Sequence, residues 1–416
     1  MKDMGAAITD WTSMMEKEGR DVLAKAEAKW ELGDQLKEMG LYPYFQPIEE
    51  NQGPVAIFRG KQVIMLGSNN YLGLTTHPKV REAAKRAIDQ HGTSMTGSRF
   101  VNGTLPMHEE LEAKLAAFFG KDDGLVFTTG YQANLGVLTA LINKSSVTVV
   151  DKFSHASVHD GCKLANGENL TFRHNDTEDL ERVLSKVSPN KGILILVDGV
   201  YSSEGDLAPL PEIVRIAKKY QARIAVDEAH GVGVMGPGGR GAVHHFGLQD
   251  QIDLIIGTFS KSLASVGGFV VGSKNVIDFI RHLGRPMIFS ASLPPSSVAA
   301  AMAALEILIA EPERAEKVRA NATFMKQELA RIGYHVGNSS SAVIPLVIGD
   351  ELKTFCIWKD LLDAGVYTNP FLYPAVAKGQ GTLRTSYLAT HEQSHLDQAL
   401  AAFKTIAKNY DIQSAA

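Results

Sequence analysis

One lysine closes an apolar run in Asp253-Leu-Ile-Ile-Gly-Thr-Phe-Ser-Lys261-Ser-Leu. A second run upstream, Arg223-Ile-Ala-Val-Asp227-Glu-Ala-His230, ends in a carboxylate and an imidazole. Both read as buried strands that deliver polar groups at their C-terminal ends. An amine placed there can condense with an aldehyde to an imine. A carboxylate can hold a protonated pyridine nitrogen through a charge-assisted hydrogen bond and keep the ring an electron sink. The hydroxyls of Thr258 and Ser260 flank the lysine and suit a phosphate. An aldehyde, a pyridine and a phosphate on one molecule describe pyridoxal 5′-phosphate (PLP), and this residue set is what its chemistry requires.

Other residues extend the set. Thr129-Gly130-Tyr131-Gln132-Ala133-Asn134 reads as a strand-to-helix turn, so the N–H groups of Gly130 and Tyr131 are expected at a helix N-terminus that favours a dianion. His230 is placed to donate to the cofactor's phenolic oxygen. His155, in Ser154-His-Ala-Ser just past a strand, is placed to stack on the ring. His155 and His159 have i,i+4 spacing, but no third ligand or HExxH glutamate accompanies them, so no metal is expected. Gly231-Val-Gly233-Val-Met-Gly236 matches a dinucleotide-binding pattern. That fingerprint needs a helix opening at the glycines, and Pro237, Gly238, Gly239 and Gly241 break helices; a glycine-rich loop is expected instead.

These groups need elements to hold them. Gly124-Leu-Val-Phe-Thr-Thr-Gly130, Ser146 to Asp151 and Gly192 to Asp198 read as further strands, with helical segments between, such as Pro211 to Tyr220. The alternation predicts an α/β fold with a mostly parallel central sheet, and ligand groups at the carboxyl edge of its strands. Leu293-Pro294-Pro295 punctuates the chain. A helix-rich stretch follows from Ser297 to about Gly333, and strands are expected at Ala342 to Ile348 and Leu383 to Leu388. The domain reading is an N-terminal helical arm over 1–60, a large domain over 61–295 and a smaller α/β domain over 296–416. In the arm, Trp11 to Gly40 reads as helix, with Trp11, Met14, Met15, Val22, Leu23 and Trp30 as its apolar face.

At 416 residues the chain can bury a large core. Its net charge of -4 supplies no global basic field for nucleic acid. Two cysteines, Cys162 and Cys356, point to a reducing compartment rather than a disulfide framework. The N-terminus has no signal-peptide core, and no apolar stretch approaches the ~20 residues that span a bilayer. A cytoplasmic location is expected, with contact at the inner membrane surface only as a periphery.

From about Tyr42 to the C-terminus the chain resembles the α-oxoamine synthases, PLP enzymes of fold type I. The resemblance is carried by Gly67-Ser-Asn-Asn-Tyr-Leu-Gly73, Thr96-Gly-Ser-Arg-Phe-Val-Asn-Gly-Thr104, Ser154-His-Ala-Ser, Val226-Asp-Glu-Ala-His-Gly231 and Gly257-Thr-Phe-Ser-Lys-Ser262. The lysine loop, with Tyr44-Phe45-Gln-Pro47 and the run from Ser260 to Phe269, is similar to that of the bacterial serine palmitoyltransferase branch; Tyr373-Pro-Ala-Val-Ala-Lys-Gly-Gln-Gly381 is similar instead to the glycine acetyltransferase relatives. The resemblance implies that Lys261 carries the cofactor imine and later acts as base. It implies that His155 stacks on the ring, Asp227 pairs with its nitrogen and His230 meets its phenolic oxygen. It implies that Thr258 and Ser260 bind phosphate, beside the Gly130 and Tyr131 N–H groups read above, and that Ser290 reaches the phosphate of a neighbouring subunit in an obligate homodimer. It also implies that Arg384 grips the amino-acid carboxylate and that Asn70 binds on the substrate side. The implied reaction condenses L-serine with a long-chain acyl-CoA and loses CO2. The alternatives are a relative using glycine or alanine (glycine C-acetyltransferase or 8-amino-7-oxononanoate synthase), an aminotransferase, or a non-catalytic subunit of a synthase.

Overall fold

The computed structural model describes residues 20–24, 31–373 and 375–412. Trp11, Met14, Met15 and Trp30 lie outside them, while Val22 and Leu23 are exposed. A helix is present at Glu31–Glu38, and the chain leaves it through Gly40 with φ 68°. The chain divides into two compact units: Asn69–Ala320 with Ser340–Ala342, and Met1–Ser68 with Asn321–Ser339 and Val343–Ala416.

The first unit is built on a seven-stranded sheet. Its strands, numbered here in chain order within the sheet, are β1 (Asp123–Phe127), β2 (Ser146–Asp151), β3 (Glu168–Phe172), β4 (Gly192–Asp198), β5 (Arg223–Asp227), β6 (Leu254–Thr258) and β7 (Gly268–Gly272). They lie in the order β1-β7-β6-β5-β4-β2-β3. The pairs from β6 to β3 are parallel, and β7 runs antiparallel to both β6 and β1. All five residues of β6 and of β7 are buried. Strands covered on both faces lose the alternation of a half-exposed sheet and read as continuous apolar runs. The covering helices include Gly130–Leu141, Ala156–Leu164 and Leu210–Lys219; Pro211 sits in the first turn of the last, where it forfeits no helical bond.

Parallel strands end on the same edge. Asp151, Asp198, Asp227 and Thr258 are the last residues of β2, β4, β5 and β6, four neighbours in the sheet. Apolar strand interiors therefore finish in a row of polar groups where open α/β sheets bind ligands.

The second unit holds a four-stranded sheet of Glu50–Asn51, Val55–Phe58, Lys61–Met65 and Val366–Tyr367, and a three-stranded sheet of Val343–Gly349, Asn369–Phe371 and Gly381–Ser386. Trp358, Tyr387 and Phe403 anchor its core. Among the described residues no single helix is long and apolar enough to cross a membrane.

Candidate active site

A cavity of about 290 Å³ opens at the carboxyl edge of the large sheet. Gly130, Tyr131, His155, Asp227, His230, Thr258, Ser260 and Lys261 all line it, although more than 130 positions separate the first from the last.

Asp227 is buried and fastened on both oxygens. Its Oδ1 accepts the backbone N–H of Ala229 at 2.9 Å, and its Oδ2 accepts Asn134 Nδ2 at 2.8 Å. Asn134 sits one turn into the helix Gly130–Leu141, on its buried side. The amide also donates to Ser157 Oγ at 2.9 Å, and Ser157 Oγ lies 2.7 Å from His155 Nδ1. His155 caps the helix Ala156–Leu164, accepting the N–H of Ser157 at 3.3 Å. Burial holds the His155 imidazole below its usual pKa; the charge of Asp227 works the other way and that of Lys261 adds to the burial.

Asp198 stands beside Asp227 in register and is equally buried. Burial, then the Asp227 charge, push its carboxyl well above the usual carboxylate range. Two adjoining buried carboxyls cannot both ionise cheaply, so one negative charge faces the cavity here.

Lys261 belongs to a tight connection between β6 and β7. Phe259 N donates to Gly267 O at 2.9 Å and Ser265 N to Phe259 O at 2.9 Å, closing the loop around it. Ala264 takes φ 52° in this turn, a conformation that costs a residue with a Cβ. Ser262 Oγ ties the loop to Val232 O at 2.6 Å.

The anion cradle lies next to it. Thr129 caps the helix that opens at Gly130, its side chain accepting Gln132 N at 3.1 Å. A Cβ on Gly130 would lie 2.8 Å from Thr258 Cβ, and one on Gly268 would lie 2.5 Å from Gly130 Cα. Only glycine lets the helix N-terminus, Thr258 and β7 converge this closely. Thr258 Oγ1 donates to Gly267 O at 2.9 Å and lies 2.8 Å from Ser260 Oγ. A helix N-terminus with two adjoining hydroxyls is a site for a phosphate dianion.

His230 Nδ1 lies 2.7 Å from the Tyr71 hydroxyl, which fixes the ring plane. Glu228, between Asp227 and His230 in sequence, points elsewhere. Its carboxylate accepts Ala242 N at 2.9 Å and Val243 N at 2.7 Å, and burial pushes its pKa up to about 7. A Cβ on Gly231 would lie 1.8 Å from Glu228 Oε2. The GxGxxG stretch is therefore a loop wrapped around this carboxylate. No helix opens at its glycines; the short 3-10 turn Pro237–Gly239 and the helix Ala242–His245 follow it.

Ser290 and Asn70 are not part of the cavity lining, and Arg384 belongs to the second unit. Ser290 Oγ accepts Gln132 Nε2 of its own chain at 3.1 Å. Asn70 braces the turn after it, its Oδ1 accepting Leu74 N at 3.0 Å and its Nδ2 donating to Thr75 Oγ1 at 2.8 Å. Arg384 is buried in the strand Gly381–Ser386 of the second unit, with its guanidinium 5.7 Å from the Phe371 ring. Sequence reasoning gave no role to Asn134, Ser157, Asp198 or Tyr71. Asp198 carried a visible signal, the same strand-end position as Asp227; Asn134, Ser157 and Tyr71 lay inside quoted motifs with nothing to say where they pointed.

The cavity fits PLP. It offers a carboxylate locked as an acceptor for the ring nitrogen, an amine on a constrained loop for the aldehyde, and a cradle of backbone and hydroxyl donors for the phosphate. The comparisons agree. The aminotransferase class I and II family profile matches residues 61–403. A serine palmitoyltransferase of Sphingobacterium spiritivorum is 43% identical over 392 residues, covering 94% of this chain and 98% of that protein. An 8-amino-7-oxononanoate synthase of Bacillus velezensis is 41% identical, covering 91% and 97%. The serine palmitoyltransferase of S. paucimobilis with a bound PLP–myriocin aldimine superposes with a TM-score of 0.92 at 38% identity, covering 95% of this chain and 100% of that one. The chain belongs to the class I and II aminotransferase family of PLP-dependent, fold type I enzymes, and within it to the α-oxoamine synthases.

Proposed function

We infer that this chain condenses L-serine with a long-chain acyl-CoA, palmitoyl-CoA in the first instance, and releases 3-ketodihydrosphingosine, CoA and CO2. The observation that carries this reading is the convergence of Lys261 and Asp227 on one cavity in a chain whose serine palmitoyltransferase relatives align along nearly their whole length. The lysine loop Gly257-Thr-Phe-Ser-Lys-Ser262 supports serine as the amino acid.

PLP, when bound, supplies an aldehyde for the amino group of serine and a cationic ring that takes up the electron pair left at Cα. Asp227 would hold the ring nitrogen protonated, its oxygens kept aimed by Asn134 and Ala229. Gly130, Tyr131, Thr258 and Ser260 would hold the phosphate, His155 would stack on the ring, and His230, steadied by Tyr71, would donate to the phenolic oxygen. Lys261 Nζ removes the Cα proton as general base. Cα then attacks the thioester carbonyl; a C–C bond forms, the C–S bond breaks and CoA leaves as the thiolate. Arg384 grips the substrate carboxylate until it departs as CO2, and Asn70 is assigned to the substrate side. Lys261 returns a proton to Cα. Ser290 is assigned to the phosphate of a neighbouring subunit, which makes the working unit a homodimer. We place the enzyme in the cytoplasm, with its lipid substrate met at the inner membrane surface.

A second reading, glycine or alanine with a shorter acyl-CoA, is favoured by the stretch from Tyr373 to Gly381 and by the 41% identical synthase of B. velezensis. CoA release from palmitoyl-CoA by the PLP-loaded protein, compared across L-serine, glycine and L-alanine, separates the two. Selectivity for L-serine with a long-chain ketone product supports the first; turnover confined to glycine or alanine replaces it with the second.

A further inference from the structure

We propose that Asn134 and Ser157 are positioning residues that order the protons between Asp227 and His155, and so hold His155 as the neutral tautomer with its proton on Nε2. The proposal deepens the reading above, because His155 is assigned there to the cofactor ring; the tautomer itself follows from hydrogen bonds within the chain.

The argument starts at the carboxylate. Asp227 Oδ1 already accepts Ala229 N, and the Asn134 atom 2.8 Å from Oδ2 is the amide nitrogen, which donates to it. The same nitrogen is 2.9 Å from Ser157 Oγ, and its second N–H goes there. Ser157 Oγ lies 2.7 Å from His155 Nδ1 and has one O–H that it can donate there. An independent donor reaches the same ring nitrogen: the backbone N–H of Ser157, at 3.3 Å, which cannot exchange roles. A nitrogen that accepts from both sides carries no proton, and in a neutral imidazole the proton is then on Nε2.

The opposite orientation of the amide is the costlier one. Asn134 Oδ1 is buried without a partner. Turning the amide over would set that oxygen against a carboxylate and lose both donations, so the fold tolerates one unpaired acceptor to keep two bonds. Asn134 and Ser157 are both buried and line the same cavity as His155, so the relay lies in the wall of the site. Burial also favours the neutral ring. The consequence for the reaction is one of sign: His155 presents an N–H donor at Nε2, suited to a substrate carboxylate or carbonyl oxygen, where the other tautomer would present a lone pair and repel it.

The test uses the full PLP-loaded chain labelled with ¹⁵N-histidine, read by NMR correlations that distinguish the two ring nitrogens. The unaltered protein should show His155 bare at Nδ1 and protonated at Nε2. In Ser157→Ala and Asn134→Ala the preference for that tautomer should fall by about tenfold, the worth of one hydrogen bond. Ser157→Thr, which keeps the hydroxyl, should restore it. KM for the amino acid should rise in the two alanine variants and recover in the threonine variant. A proton on Nδ1 in the unaltered protein overturns the proposal, as does an unchanged tautomer ratio in both alanine variants. If either variant fails to take up PLP, the spectrum of the unaltered protein still decides the tautomer. An Nε2-protonated His155 in a protein that releases no CoA with serine would sink the substrate reading and leave the relay standing.

Discussion

Asp198 and Asp227 are register partners at the last positions of two adjacent parallel strands, and both carboxyls are buried. Two amide donors fasten Asp227, while burial and the neighbouring charge push Asp198 well above the carboxylate range. The proposed division of roles gives Asp227 the pyridinium nitrogen, while burial and the neighbouring carboxyl favour the neutral form of Asp198. Asp198→Asn replaces one neutral group by another of the same shape and should leave kcat/KM within about threefold, less than 1 kcal/mol. Asp227→Asn removes the charge and should cost about a hundredfold or more in kcat. Equal losses in the two variants would show that the charge is shared or lies on Asp198.

Lys261→Ala should abolish both CoA release and the visible absorbance that a lysine-linked cofactor gives. Retained CoA release by a pure preparation of this variant would move the base to another residue.

Arg384→Ala should raise the amino-acid KM by roughly ten- to a hundredfold, the range expected when a hydrogen bond to a charged partner is lost. Arg384→Lys should recover little of it, because an ammonium cannot reproduce the planar fork. Initial-rate kinetics across serine concentrations give the answer; an unchanged KM assigns the carboxylate to another residue.

Gly268→Ala should weaken cofactor affinity. The added Cβ would lie 2.5 Å from Gly130 Cα and 2.7 Å from Gly130 N, so the helix N-terminus must shift. A strain of about 1–3 kcal/mol is typical of such overpacking, equivalent to roughly five- to a hundredfold in PLP affinity. Equilibrium dialysis that finds affinity unchanged would place the phosphate elsewhere.

His174 predicts how stability depends on pH. Its Nδ1 and Nε2 each lie 3.0 Å from a carboxylate oxygen, of Asp151 and Asp206. Burial opposes the imidazolium, but the two hydrogen bonds and the two charges outweigh it and push its pKa up to about 10. The folded state keeps a proton that the unfolded chain releases near pH 6.5. The stabilisation is thus fully present below that pH and is lost as pH rises through about 10. Thermal melts of the unaltered protein and His174→Gln should differ most near pH 6 and converge towards pH 10. A constant difference across that range would mean that His174 is not ionised in the fold.

Much of this site is legible in the chain because parallel sheets write their ligand edge into the sequence. An apolar run that must be buried on both faces ends abruptly where the strand reaches the edge, so Asp227 and the Thr258–Lys261 segment stand out at the ends of such runs. Gly130 is legible for a similar local reason, since a strand passes into a helix there. The sequence by itself thus determined the fold class, the lysine that the structure places in the cavity and the chemistry of the cofactor the cavity can hold. Tertiary structure alone decided what each group is bonded to. Asn134 meets Asp227 across 93 positions and Tyr71 meets His230 across 159, through side chains whose identity gives no hint of their partners. Glu228, next to Asp227, turns out to serve the glycine loop, because successive side chains leave the backbone on opposite sides. Patterning reports which residues are buried, whereas protonation and tautomer depend on distances of a few ångströms that exist only once distant segments have packed.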